Sequence, residues 1–225
     1  TIDYRQAADP TKVLFDCNEG AFDCFGNENK YKEGEFDFVD LNGDSYTFTV
    51  HNAMLNNFGG GLQLKKVSAS DATQQGYAVS PTFSKFPYGY RVTVKYKDQN
   101  APELKCVNYS DKVAVTDDAN GTITMDVPFA DGTFKLLGGS QVAYVQSIEL
   151  TPLAKKEATT MSFPKEEYNL SDINAIRNFA SPKATVKGEN GEAIEGLKIV
   201  YTSDNKDLAD VDENGVVWLS DKIAG

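Results

Sequence analysis

At 225 residues the chain is long enough for one large core or two ordinary ones, because domains most often run to roughly 100 to 150 residues. Its 22 Lys and Arg face 33 Asp and Glu, a formal charge of −11, and no stretch gathers enough basic side chains to neutralise a run of phosphates, which argues against nucleic acid and anionic membrane as partners. No apolar run approaches the roughly 20 residues that a helix needs to cross a bilayer, so no membrane span is expected.

In chain order, the first punctuation is a pair of cysteines. Cys17 and Cys24 bracket a short segment with a glycine in it, NEGAFD, which can close as a disulfide hairpin, with Cys106 left over; three reduced, buried thiols is the alternative. From Phe36 to about Leu153 the chain reads as short strands of period two: YTFTV, GLQLKKV, YRVTVKY, KVAVT, TITMDV, TFKLL and VAYVQSIEL. Turn signals fall between nearly all of them, at Asn42-Gly43, Gly59, Pro87, Asn120-Gly121, Asp131-Gly132 and Gly138-Gly139. Strands at this spacing with no sustained helical pattern predict antiparallel sheets in a sandwich or barrel.

TPLAKKEATT, Thr151 to Thr160, loses the alternation and carries proline, charge and small residues, as a linker does. The boundary is therefore placed near Lys155, giving domains 1–154 and 155–225. Beyond it the β pattern resumes in MSFPKEEYNL, PKATVK, LKIVYTS, LADVDENG and VVWLS, with Asn-Gly pairs at Asn190 and Asn214 that suit type I′ hairpins. SDINAIRN, capped at Ser171 or Asp172, is the one candidate helical turn.

Two resemblances follow from these segments. The run Val200 to Asn205 (VYTSDN), then LADVDENGVV from Leu208 to Val217, then Gly225, resembles the bacterial immunoglobulin-like domains of the invasin and intimin type, group 2. That resemblance implies a spacer or adhesion domain of a surface protein, with Tyr201, Ala209 and Val211 facing its core and the last strand missing from this sequence. TITMDVPFADGTFKLLGG and the ending QVAYVQSIELTPL resemble jelly-roll modules of surface and polysaccharide-degrading proteins in gut Bacteroidetes. This implies a jelly-roll-like β-sandwich, a secreted or cell-surface location and glycan as the ligand class.

A sugar site needs flat aromatic faces and side chains that hydrogen-bond hydroxyls in fixed directions. FSKFPYGYR, Phe83 to Arg91, offers Phe86, Tyr88, Tyr90 and Arg91 around a Pro-Gly turn, and NNFGGG adds Asn56, Asn57 and Phe58. The competing reading is that these rings cap the end of the core. Asp40, Asn42 and Asp44 in VDLNGDS have the alternate oxygen spacing that calcium loops use, and also that of a hairpin turn whose side chains bond only the backbone; jelly-roll glycan modules often carry a structural calcium, and no other cofactor is expected. Trp218, alternating with Val216, is open between core and ligand platform. The single histidine, His51, stands in a strand with no partner motif, and neither an activated nucleophile nor a paired acid and base has a signature, so no enzyme is expected. The expectation is a non-catalytic carbohydrate-binding module of a secreted or surface protein; the alternatives are a structural or adhesive subunit that binds surface proteins and an accessory region of a longer glycoside hydrolase.

Overall fold

The computed structural model describes residues 9–56, 61–98, 100–107, 112–163, 184–188, 193–194 and 199–219. Backbone contacts divide the chain into two units, Thr1–Ala154 and Lys155–Gly225. It is all-β, with helix confined to single 3-10 turns among the described residues.

The first unit contains β1 (Val13–Asp16), β2 (Lys32–Val39), β3 (Ser45–Leu55), β4 (Leu62–Leu64), β5 (Tyr77–Val79), β6 (Tyr90–Tyr96), β7 (Glu103–Cys106), β8 (Val115–Asp117), β9 (Thr122–Val127), β10 (Phe134–Leu137) and β11 (Ala143–Pro152). All pair antiparallel in one curled sheet of order β7-β10-β5-β3-β4-β11-β6-β9-β8, with β2 added to β3 and β1 to β11. The short strand β4 pairs with Ala53–Leu55 of β3 and with Ala143–Val145 of β11. It therefore joins a layer β2-β3-β5-β10-β7 to a layer β1-β11-β6-β9-β8, and the two enclose a common core as a β-sandwich.

Strand periodicity sets the two faces. In β6, Tyr90, Val92, Val94 and Tyr96 are buried while Arg91 and Lys95 are exposed, and the register sets Val92 beside Met125 of β9 and Leu150 of β11, all in the core. In β3, Phe48 and Val50 point inward, leaving Thr47, Thr49 and His51 on the outer face. Asn52 then takes φ +46° and interrupts the alternation, and the β2 partner shifts register opposite it, between Lys32 and Gly34. After this bulge Ala53 is inward and Met54 outward, in line with Gln63 of β4 and Tyr144 of β11.

Phenylalanine dominates the interior. Phe15, Phe22, Phe25, Phe38, Phe48, Phe83, Phe86 and Phe134 are fully buried, with Tyr90 among them. Phe48 stacks on Phe38 at 4.2 Å and meets Phe15 and Phe134 edge-on at 5.5 and 6.0 Å. The polar atoms that enter this core are paired: Tyr90 donates its hydroxyl to the Gly132 carbonyl at 2.9 Å, and Ser80 Oγ accepts from the Phe134 amide at 3.0 Å.

Three tyrosines make the fold sensitive to alkali. Burial holds the Tyr90 phenol well above its ordinary 10, Tyr46 is pushed up to about 12 by desolvation and by Asp40 and Asp44, and Tyr96 to about 12 by desolvation and its bond to Asp118. Above pH 10 the unfolded chain loses these protons while the folded chain keeps them, so stability declines as pH rises toward 12. Urea midpoints are expected to fall between pH 9 and 11, and a flat profile would contradict the burial of these phenols.

Four strands were not expected from the sequence. β5 and β7 span only three and four residues, too few for alternation to register, β1 has three consecutive apolar residues, and β2 begins among charged residues before Phe36. In the second unit, β12 (Thr160–Ser162) pairs with β13 (Thr185–Lys187), and β14 (Ala209–Val211) with β15 (Val217–Leu219). The Asn214-Gly215 turn is not type I′, since Gly215 has φ +79° and Asn214 is not among the positive-φ residues; the Asn190 pair lies outside the described residues. The Tyr201 ring lies against Gly215, and Trp218 is 49% exposed.

Candidate functional site

The aromatic turn does not form a binding edge. Phe86 and Tyr90 are 1% and 0% exposed: Phe83, Phe86 and Tyr90 recur at steps of three and four through successive turns, which brings their rings together inward at 5.2 to 6.3 Å. Tyr88, between them, is exposed at 48%. Arg91 lies on the outer face of β6, where Nε and Nη2 form a bidentate pair with Asp126 at 2.7 and 3.0 Å. Asn56 donates its backbone amide to the Gly61 carbonyl at the end of β3; Asn57 and Phe58 lie outside the described residues.

Asp40, Asn42 and Asp44 build a hairpin turn in which the Asp40 carboxylate is already committed. Oδ1 accepts from the Asn42 and Asp44 amides at 2.9 Å each and Oδ2 from Asn42 Nδ2 at 3.2 Å, while the Gly43 amide donates to the Asp40 carbonyl at 3.0 Å. The same turn recurs from Asp212 to Val216. There the carboxylate takes the Asn214 and Val216 amides at 2.8 Å each, and the Gly215 amide donates to the Asp212 carbonyl at 3.0 Å. Both read Asp-x-Asn-Gly-x, a type I turn closed by a left-handed glycine, with aspartate capping the two amides the turn leaves over. The calcium spacing is thus the spacing of this cap, and an ion would have to displace its N–H donors. Among the described residues no three His, Cys, Asp or Glu side chains form a metal-binding set.

Cys17 and Cys24 are free thiols on two consecutive 3-10 turns, Cys17–Glu19 and Asp23–Phe25, in place of a disulfide hairpin; the intervening Phe22 is drawn into the core and the segment folds around it. Desolvation raises both thiols, Cys24 to about 11, which keeps them protonated and poorly nucleophilic.

The polar constellation with the most internal order lies on the outer face where β3, β4, β5 and β10 meet. His51 and Tyr77 stand opposite each other in the β3–β5 register, their rings stacked at 5.3 Å, and from β10 the Lys135 ammonium lies 3.8 Å from the centre of the Tyr77 ring. His51 Nδ1 is 2.9 Å from Glu33 Oε2 and Nε2 is 3.0 Å from the Thr73 carbonyl. Asn52, turned by its bulge, donates to the Gln74 carbonyl at 3.1 Å; Gln74 Oε1 accepts from Lys65 Nζ at 2.8 Å. Lys65 in turn lies 5.6 Å from the Tyr31 ring, whose hydroxyl accepts from Gln63 Nε2 at 2.8 Å. Tyr31, His51, Asn52, Gln63, Lys65, Gln74, Tyr77 and Lys135 are all partly exposed.

Gly76 and Gly138 permit this convergence. A β-carbon on Gly76 would lie 2.4 Å from the Lys65 amide nitrogen and 2.5 Å from the Asn52 carbonyl oxygen, and one on Gly138 would lie 2.1 Å from the Lys65 carbonyl oxygen. Sequence reasoning set His51 aside for want of a partner motif, because its partners arrive from Glu33, Thr73 and Tyr77. The available signals were the outward alternation of Thr47, Thr49 and His51 and the polar run DATQQGY beside a strand.

No protein-family model matches the chain, and no curated protein matches it. It is similar to a solved structure described as "The complexity of the Ruminococcus flavefaciens cellulosome reflects an expansion in glycan recognition", with 12% identity and a TM-score of 0.29 over 64% of this chain and 96% of that one. A superposition that loose carries no argument about ligand or site.

Proposed function

We propose that the first unit is a non-catalytic carbohydrate-binding module of a secreted or cell-surface protein, and that glycan rests on the outer face built by Tyr31, His51, Gln63, Gln74 and Tyr77. The observation that carries this reading is the connected network on that face. Amide and imidazole groups there are held by bonds of 2.8 to 3.1 Å beside two tyrosine rings. Sugar hydroxyls need donors and acceptors fixed in direction and an apolar surface for the ring C–H groups, and a network held before binding reduces the ordering cost of association. The second unit, in the same proposal, is an immunoglobulin-like spacer, supported by the VYTSDN and LADVDENGVV runs. Among the described residues no helix is long and apolar enough to cross a membrane.

A glycan array followed by titration calorimetry with plant and host polysaccharides tests the reading, and silence in both sinks it. Tyr77→Ala is expected to weaken a bound glycan by about tenfold or more through loss of the ring and of the His51 stack, on the scale of one good aromatic contact. Tyr88→Ala is expected to leave affinity unchanged, since Tyr88 lies on a separate turn.

A further inference from the structure

Lys65 and Lys135 bring positive charge to this face of an acidic molecule, each beside a tyrosine ring. Several cations of the first unit sit against carboxylates: Lys12 on Glu149, Lys32 on Glu28, Lys85 on Asp44, Arg91 on Asp126 and Lys105 on Glu103. Lys65 instead lies near the Tyr31 ring with the neutral Gln74 amide as its hydrogen-bond partner, and Lys135 lies on the Tyr77 ring. Neither ammonium is within ion-pair distance of a carboxylate among the described residues. The nearby acids are already engaged: Glu33 bonds His51, and Asp71, which feels the Lys65 charge, takes the Thr73 amide at 3.0 Å and the Thr73 hydroxyl at 2.5 Å.

An ammonium seated on an aromatic face and lacking a counter-ion retains most of its capacity to attract an anion, and the ring fixes its position in advance. The two lie in one patch, since Lys65 bonds Gly76 through its backbone carbonyl and Lys135 covers the adjacent Tyr77. Resting on the glycan-binding reading above, we infer that the ligand is an anionic glycan, bearing carboxylate or sulfate groups that meet Lys65 and Lys135 while the sugar rings lie against the neighbouring tyrosines and amides.

The test is calorimetric titration of the full chain with polygalacturonate, with its fully methyl-esterified form and with a sulfated galactan. Esterification removes the charge and keeps the sugar skeleton. One polyanion at least is expected to bind about tenfold or more tighter than the ester, and Lys65→Gln with Lys135→Gln is expected to lower that affinity by about tenfold or more, the scale of lost charge-assisted hydrogen bonds, and by a clearly larger factor than it lowers any ester binding, which loses only the support these side chains give Gln74 and Tyr77. An ester bound as tightly as the acid overturns the anionic assignment and leaves the glycan-binding reading standing. Polyanion binding that the double variant does not weaken also overturns it, because the contacts then lie elsewhere. If neither these probes nor the glycans of the array bind, both fall.

Discussion

Phe48→Ala is expected to lower the unfolding free energy of the first unit by about 3 to 5 kcal/mol, the range for truncating a fully enclosed aromatic ring. Phe48 contributes no polar atom and is 0% exposed, so the loss combines the transfer of a phenyl ring with the cavity left behind. Relaxation into that cavity is limited, because Phe38 stacks on the ring at 4.2 Å and Phe15 and Phe134 meet it edge-on from β1 and β10. The cavity would therefore open between the two layers. For a unit of this size the melting temperature should fall by roughly 10 °C. Thr49→Ala, on the exposed neighbour that points the opposite way, should change stability by no more than about 0.5 kcal/mol. Equal effects from the two variants, read from urea midpoints, would mean that the register of β3 is wrong.

Gly138→Ala is the second large effect, and it acts through the backbone. The Gly138 amide donates to the Gly76 carbonyl at 2.9 Å and the Gly76 amide to the Lys65 carbonyl at 2.8 Å, so three chain segments meet with no room for a side chain. A β-carbon on Gly138 would lie 2.1 Å from the Lys65 carbonyl oxygen and 2.7 Å from its carbon, and neither atom can swing aside as a flexible side chain can. The expected cost is about 3 kcal/mol or more, at the upper end of overpacking effects. Because the displaced segment carries Lys65, the glycan binding proposed above should weaken in the fraction that folds. Gly26→Ala is the control: nothing lies within 4 Å of the added carbon, so it pays only the backbone penalty of φ +63° with ψ −177°, a region essentially reserved for glycine, about 1 to 3 kcal/mol. A Gly138→Ala protein with the stability of the Gly26 variant and intact binding would refute the crowding argument.

Much of the sandwich is legible in the sequence because period-two alternation survives wherever a strand is long enough. Tyr90 to Tyr96, Thr122 to Val127 and Ala143 to Leu150 each bury every second residue over most of their length, and they form neighbouring strands of one layer. The strands that escaped notice are short or lack alternation, and pairing with long neighbours supplies the order their own sequences do not encode, as β11 does for β1 and β3 for β5. The aromatic turn misled for a definite reason. Phe86 and Tyr90 look exposable when alternation is assumed, but the intervening turns change the repeat to three and four residues and direct both rings inward. Asp40 to Asp44 is ambiguous as a string, since the oxygens a metal would use are also those that cap backbone amides; only the placement of the amides decides between them. The outer-face network was the least legible, because it is assembled across strands from positions 31 to 135, and register is a property of the pairing, not of any one segment.

The pairing of β1 with β11 has a consequence for biosynthesis. Val13 lies opposite Leu150 and Phe15 opposite Ile148, so the first strand's partner is the last strand of the unit to leave the ribosome. At synthesis rates of about 5 to 20 residues per second this interval is on the order of ten seconds, far longer than a hairpin takes to form. Local ladders such as β2–β3 can close early, while Val13, Leu14 and Phe15 remain without their sheet until the chain is nearly complete. Until then, the Phe15 place beside Phe38 and Phe48 is unfilled, and the nascent unit is an open shell that a chaperone or a second nascent chain can reach.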